Sequence, residues 1–326
     1  MLNKTAIILR ECGERTADAA YHLLSQIVAP EALHRVNTAP FSRCLAESFK
    51  LGIAQGREWT LCIDADVLVT AVGIYELQAT AELLPEHIFE VQGLIQDRFF
   101  GIRRPAGNHL YRTCYLERAL ELIPEEGTSL RPESSTIDRM RELGFVDLQL
   151  PTLTGLHDYE QHYHDIYRKC FLQGKKHDFL KDFLLPRWQR EAAAGNTEAV
   201  IAQAAMTAGL QFEGGVLVDR HFMEEDTDKA LDKLGIEPRK ILDPHFITQE
   251  WIDEQIYVVS SRLDEDAIIE QAKITKHYFD NSHYKSALAC KHQPVAESIP
   301  LKIILRALAS LPRRALRRFY YLISNS

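Results

Sequence analysis

Cysteine is scarce in this 326-residue chain: six residues (Cys12, Cys44, Cys62, Cys114, Cys170 and Cys290), with no Cys-x-x-Cys and no paired spacing. Neither a zinc ribbon nor a disulfide framework is indicated on that ground. No apolar stretch approaches the roughly 18–20 residues that span a bilayer. The opening MLNKTAIILRECGERT turns polar after a short apolar run and lacks the core and cleavage pattern of a signal peptide. A reducing cytoplasm is the expected compartment. Basic residues are outnumbered, 38 against 46 acidic, for a net charge of −8, which argues against a general nucleic-acid binder. There is no internal repeat and no low-complexity linker. With 46% apolar and 26% charged residues, a disordered chain is excluded as well.

What is present is alternation. Thr5–Leu9 and Leu33–Val36 read as strands, with a helix from Ala17 to Val28 between them. Thr38-Ala39-Pro40 opens a second helix, with Thr38 as its N-cap and Pro40 in its first turn. Phe41, Leu45, Phe49 and Ile53 follow at i+4 steps, and Gly56 closes it. Trp59–Ile63 is a third, buried-type strand. Ile74, Leu77, Ala81 and Leu84 mark a helix ended by Pro85. Strand-like runs follow at Ile88–Ile95 and Arg98–Ile102, then a helical stretch from Asn108 to Ile123 and a last strand at Phe145–Leu150. This order predicts an α/β domain with a largely parallel sheet. From about Asp158 onward the pattern is mostly helical.

The sharpest motif is WTLCIDADVLV, in which a hydrophobic strand delivers Asp64 and Asp66 at its carboxyl end. That end of an α/β sheet is where ligands bind. Two carboxylates at i and i+2 can reach one hard divalent cation, Mg²⁺ or Mn²⁺, which in turn bridges phosphates. Without a cation they would repel.

Here the chain resembles a metal-dependent, family-2-like glycosyltransferase of the GT-A fold. The resemblance rests on Ile7-Ile8-Leu9-Arg10 with Glu14-Arg15-Thr16, on Ala39-Pro40-Phe41 opening a helix, and on Ile63-Asp64-Ala65-Asp66. It covers about the first 100 residues. It implies a Rossmann-like mixed, mostly parallel sheet flanked by helices, followed by a helical C-terminal region with an amphipathic basic tail. Carried over, Arg10, Arg15, Thr38 and Asp64 fall on the nucleotide-sugar side, and Asp64 and Asp66 serve the metal. Arginine suits a diphosphate because its planar fork pairs with two phosphate oxygens. A departing nucleoside diphosphate needs its charge neutralised, which a cation and basic residues supply.

A second constellation, Thr154 to Asp165, holds three histidines and three carboxylates and is expected to begin a helix whose apolar face carries Tyr159, Tyr163 and Ile166. Members of the resembled family often supply a late His or His-Asp pair. On that basis His157 is the expected third metal ligand and Asp158 the acid/base. Glu133, at the start of a helix running through Met140, is the alternative base; its other reading is a dipole-capping carboxylate.

The tail from Ile299 to Ser326 carries six basic residues (Lys302, Arg306, Arg313, Arg314, Arg317 and Arg318) and no acidic ones, which leaves −14 on the rest. Leu301, Ile304, Leu305, Leu308 and Leu311 lie on one side of a helical wheel, so the segment reads as a helix for an anionic membrane surface, or as one docked on protein. The expected organisation is a catalytic nucleotide-sugar domain over 1–170, a helical acceptor region over 171–298 and a membrane-associating tail over 299–326. The expected location is cytoplasmic, peripheral at the inner face of the membrane, and the expected acceptor a lipid-linked glycan. The alternatives are a haloacid-dehalogenase-type phosphatase with Asp64 as nucleophile and a non-catalytic peripheral scaffold. A sugar-nucleotide pyrophosphorylase would need a glycine-rich loop where Glu11–Arg15 has only Gly13.

Overall fold

The computed structural model describes residues 2–216, 222–261 and 265–281. The expected tail lies outside these residues. The chain runs β1 (Thr5–Arg10), α1 (Ala17–Ser25), β2 (Leu33–Val36), α2 (Phe41–Gln55), β3 (Trp59–Asp64), β4 (Val67–Val69) and α3 (Ala71–Ala81). There follow β5 (Ile88–Asp97), β6 (Arg103–Pro105), β7 (Asn108–Arg112), α4 (Leu116–Leu120), α5 (Pro132–Glu142) and β8 (Val146–His157). Helices α6 (Tyr163–Lys176), α7 (Lys181–Ala193), α8 (Thr197–Gln211), α9 (Glu224–Lys233), α10 (Gln249–Ser261) and α11 (Glu265–Asn281) complete it.

The strands form one mixed sheet in the order β2-β1-β3-β7-β5-β8-β4, with β6 paired to β5. The pairings β1–β2, β1–β3 and β5–β8 are parallel, and β7 joins the two blocks antiparallel to both β3 and β5. Alternation along each strand sorts the core. Ile7, Leu9, Leu61 and Ile63 face α1 and α3, while Ile8 and Cys62 face α2, α4 and α5. A separate helical core gathers Phe171, Leu184, Trp188 and Met206 from α6, α7 and α8 with Tyr278 of α11. Gly209 lets α8 approach α6, since a Cβ there would lie 2.1 Å from the Phe171 carbonyl oxygen.

Three local expectations are corrected. Arg98–Ile102 is a turn, because the Asp97 carboxylate accepts from the amides of Phe99 (2.9 Å) and Phe100 (2.7 Å) and ends β5 there. Asn108–Arg112 is a strand, not the start of a helix; the Asn108 side chain bonds both backbone groups of Gly93, and Leu110 and Tyr111 are buried in the sheet. Thr38 does not cap α2. That helix begins behind Pro40 without a side-chain cap, and the Thr38 hydroxyl donates to Glu47.

Candidate active site

Strand register assembles the site. In the β1–β3 ladder Arg10 is the partner of Asp64, and in the β5–β8 ladder Asp97 is the partner of His157. The antiparallel β4–β8 pairing sets Val67 against His157. Two rows of candidate residues therefore end at one edge, with Ala65 and Asp66 linking β3 to β4 between them. This linker is held by the Thr16 hydroxyl donating to the Ala65 carbonyl (2.7 Å), and by Ala65 N–H to Arg10 O and Asp64 N–H to Gly107 O, each 2.9 Å.

Arg10 is buried. Its Nε donates to Asp64 Oδ1 (2.8 Å) and its Nη1 to Glu133 Oε1 (2.6 Å), and its guanidinium lies 5.2 Å from the Phe41 ring centre. Glu133, at the start of α5, also accepts from the Tyr111 hydroxyl (2.7 Å) and lies 3.2 Å from His109 Nε2. Burial would raise its pKa, but Arg10 and then His109 hold it down to about 2. Glu133 is thus placed as the buried anchor of Arg10. His109 continues the chain to Glu90 (2.9 Å), whose carboxyl burial pushes up to about 7.

His157 stands at the end of β8, where a helix start was expected; the helix begins only at Tyr163. The strand extends because Gly155 and Leu156 are clamped between β4 and β5. His157 Nδ1 is 3.1 Å from both Asp97 Oδ2 and Asp158 Oδ2, and its Nε2 is 3.8 Å from Asp66 Oδ1. Burial pulls its pKa down, but Asp158 and Asp66 outweigh that and raise it to about 10. Asp97 is braced by Arg104 (Nε to Oδ2, 2.7 Å), and that arginine, then His157, hold its carboxyl at about 2 against burial. Asp158 occupies the left-handed region at φ 64°, pinned by its N–H to the Asp66 carbonyl at 3.1 Å. Such a backbone costs on the order of 1 kcal/mol and is found where geometry matters.

Asp66, His157 and Asp158 each offer a ligand atom, all within 4.8 Å of one another. Two carboxylates and an imidazole that gives up its proton to the ion suit Mn²⁺ or Mg²⁺, and Asp66 Oδ1 is buried without a hydrogen bond. The residues fit a divalent ion. Of the expected ligands Asp64, Asp66 and His157, the structure brings together the last two; Asp64 faces Arg10, and Asp158 takes its place in the cluster. Burial raises the pKa of Asp64 against the pull of Arg10.

Arg15 lies on the loop after β1, but its donors are used on the chain itself: Nη1 to Glu160 Oε2 (2.7 Å) and to the Glu160 carbonyl, Nε and Nη2 to the Lys240 carbonyl (3.0 and 2.9 Å). It ties the turn after β8 to the loop before α10. Lys169 of α6 was missed by sequence reasoning. Its Nζ lies 2.5 Å from both Asp66 Oδ2 and Asp158 Oδ1. The available signal was a lysine three residues after buried Ile166, beside the apolar stripe.

A cavity of about 750 Å³ adjoins the cluster through Asp97 and Tyr159. Trp251 meets Tyr159 edge-on at 6.3 Å. Its arginines are already paired: Arg98 and Arg239 with Glu198 (2.8 and 2.7 Å), Arg187 with Glu191 (2.9 Å).

No protein-family model matches the chain, and no curated protein matches it. Solved structures similar to it include a mannosyltransferase from Pyrobaculum calidifontis in complex with GDP-Man and Mn²⁺ (14% identity over 86% of this chain and 88% of that one, TM-score 0.36). Others are a glycosyltransferase involved in glycosylation of the major capsid of PBCV-1 (14% identity, 45% and 81%, TM-score 0.34) and a mannose-1-phosphate geranyltransferase from Thermus thermophilus (12% identity, 51% and 78%, TM-score 0.33). Identities and scores this low carry no assignment of chemistry, which must come from the side chains.

Proposed function

We propose that the chain is a metal-dependent glycosyltransferase using a nucleotide-sugar donor. The observation that carries this reading is the convergence of Asp66, His157 and Asp158 at a sheet edge, next to the Arg10–Asp64 pair. Asp66, His157 and Asp158 would hold Mn²⁺ or Mg²⁺, which when bound neutralises charge on a leaving diphosphate. Arg10 fixes Asp64 for the nucleotide side of the donor, with Glu133 fixing Arg10. Asp97 orients the His157 ring through Nδ1, as carboxylates commonly do behind ligating histidines. The phosphatase reading is weaker, because an Asp64 carboxylate bonded to a buried arginine is a poor nucleophile.

The acceptor side is assigned to the cavity at Asp97. Aromatic rings beside paired, charge-balanced arginines and carboxylates suit a polyhydroxylated, uncharged ligand such as a saccharide. Its far wall comes from α7, α8, α10 and α11, which gives the expected helical region over 171–298 a role. Among the described residues no helix is long and apolar enough to cross a membrane. A lipid-linked acceptor would give the basic segment 299–326 its purpose, and deletion after Ser298 should then release the protein from anionic vesicles.

The test is a thermal-shift screen of UDP-, GDP-, CMP- and dTDP-sugars with and without Mn²⁺. One nucleotide class should stabilise the protein only with the metal, and Asp66→Asn should abolish that stabilisation. Absence of any metal-dependent shift would sink the reading.

A further inference from the structure

Lys169 occupies the space a divalent ion would need. Its ammonium lies 2.5 Å from Asp66 Oδ2 and 2.5 Å from Asp158 Oδ1, with only 16% of the side chain exposed. A divalent ion held by this cluster would draw on the same two carboxylates, Asp66 and Asp158, that the ammonium now neutralises. Two cations cannot share that position, since little water reaches it to screen them. We propose that Lys169 is a built-in counter-cation that competes with the divalent ion for Asp66 and Asp158, so that metal entry requires the lysine side chain to swing out. The proposal rests on the metal cluster named above, but not on sugar transfer.

Three features favour a displaceable ammonium over a permanent substitute for the metal. The cluster retains a third group, His157, that a lysine salt bridge does not need and that becomes a ligand on losing its proton, and Asp66 Oδ1 takes no hydrogen bond even with Lys169 in place. Lysine carries a point charge on a flexible stem, so it can leave without breaking a fixed fork of hydrogen bonds. The backbone beneath it is held: a Cβ at Gly174 of α6 would lie 2.9 Å from Leu210 N of α8, so the two helices are in close contact and the side chain is what can move. Without metal, the ammonium keeps the two buried carboxylates from facing each other uncompensated.

The test is calorimetric titration of Mn²⁺ alone into the EDTA-stripped full chain, with Mn²⁺ electron paramagnetic resonance as a second readout. Lys169→Ala and Lys169→Gln should bind Mn²⁺ at least tenfold more tightly than the wild type and melt lower when metal-free. Lys169→Gln keeps the side-chain length and serves where Lys169→Ala does not fold. Equal or weaker binding by the folded variants overturns the proposal, as does failure of wild type and variants alike to bind Mn²⁺. Asp66→Asn and Asp158→Asn separate the two claims. If they leave Mn²⁺ binding intact, the metal cluster itself is misplaced; if they abolish it while Lys169→Gln does not tighten it, only the competition fails.

Discussion

Arg10 and Asp64 end adjacent parallel strands in register, and the guanidinium of one meets the carboxylate of the other at 2.8 Å. Asp64 and Glu133 both bond this one buried cation. Breaking a buried ion pair from one side costs about 3–5 kcal/mol, because the other charge remains. Arg10→Met should therefore lower the unfolding free energy by about that much. The double variant Arg10→Met/Glu133→Gln should recover part of the loss; urea denaturation of the three proteins checks both statements.

Glu133 sets an acid limb of stability. Its ordinary value of 4.5 falls to about 2 in the folded chain, so between those values the unfolded chain binds more protons. Its contribution is present above pH 4.5 and is lost as the pH falls towards 2. Glu90 acts with the opposite sign. Its carboxyl is raised from 4.5 to about 7, so its contribution is present below pH 4.5 and is lost as the pH rises through 7. Denaturation measured from pH 2 to 8 should show Glu133→Gln with a flattened acid limb and Glu90→Gln with less decline above pH 4.5.

Gly209 is a packing requirement. With the Phe171 carbonyl oxygen 2.1 Å from where a Cβ would stand, Gly209→Ala must push α8 away from α6. Overpacking of this kind costs about 1–3 kcal/mol, to be read as a lower melting temperature. Because α6 carries Lys169, the same variant should also change the Mn²⁺ dissociation constant.

Trp251 tests the cavity. If it lines the acceptor site beside Tyr159, Trp251→Ala should raise KM for a saccharide acceptor about tenfold, the loss of one aromatic face and its buried area. Donor hydrolysis in the absence of acceptor should be unchanged. An equal effect on both reactions would place Trp251 in the fold instead.

The sequence by itself determined the N-terminal half of the sheet and where part of the candidate site would gather. Leu33–Val36 is a strand with its two apolar ends buried, Trp59–Asp64 is a strand as its apolar run requires, Gly56 closes α2 in the left-handed region at φ 61°, and the carboxylates of WTLCIDADVLV fall at a strand end. These are local signals, written within a dozen residues. What only the tertiary structure decided is which carboxylate faces which cation. Asp64 and Asp66 are two residues apart, yet one turns to Arg10 and the other to Lys169, across sequence separations of 54 and 103. Asp97 meets His157 because two strands 60 residues apart pair in one register. Asn108–Arg112 became a strand only because β3 and β5 offered it two open edges. Periodicity reports how a segment folds against a generic core. The partners of a buried charge depend on register and helix placement, and these are settled by the packing of the whole sheet.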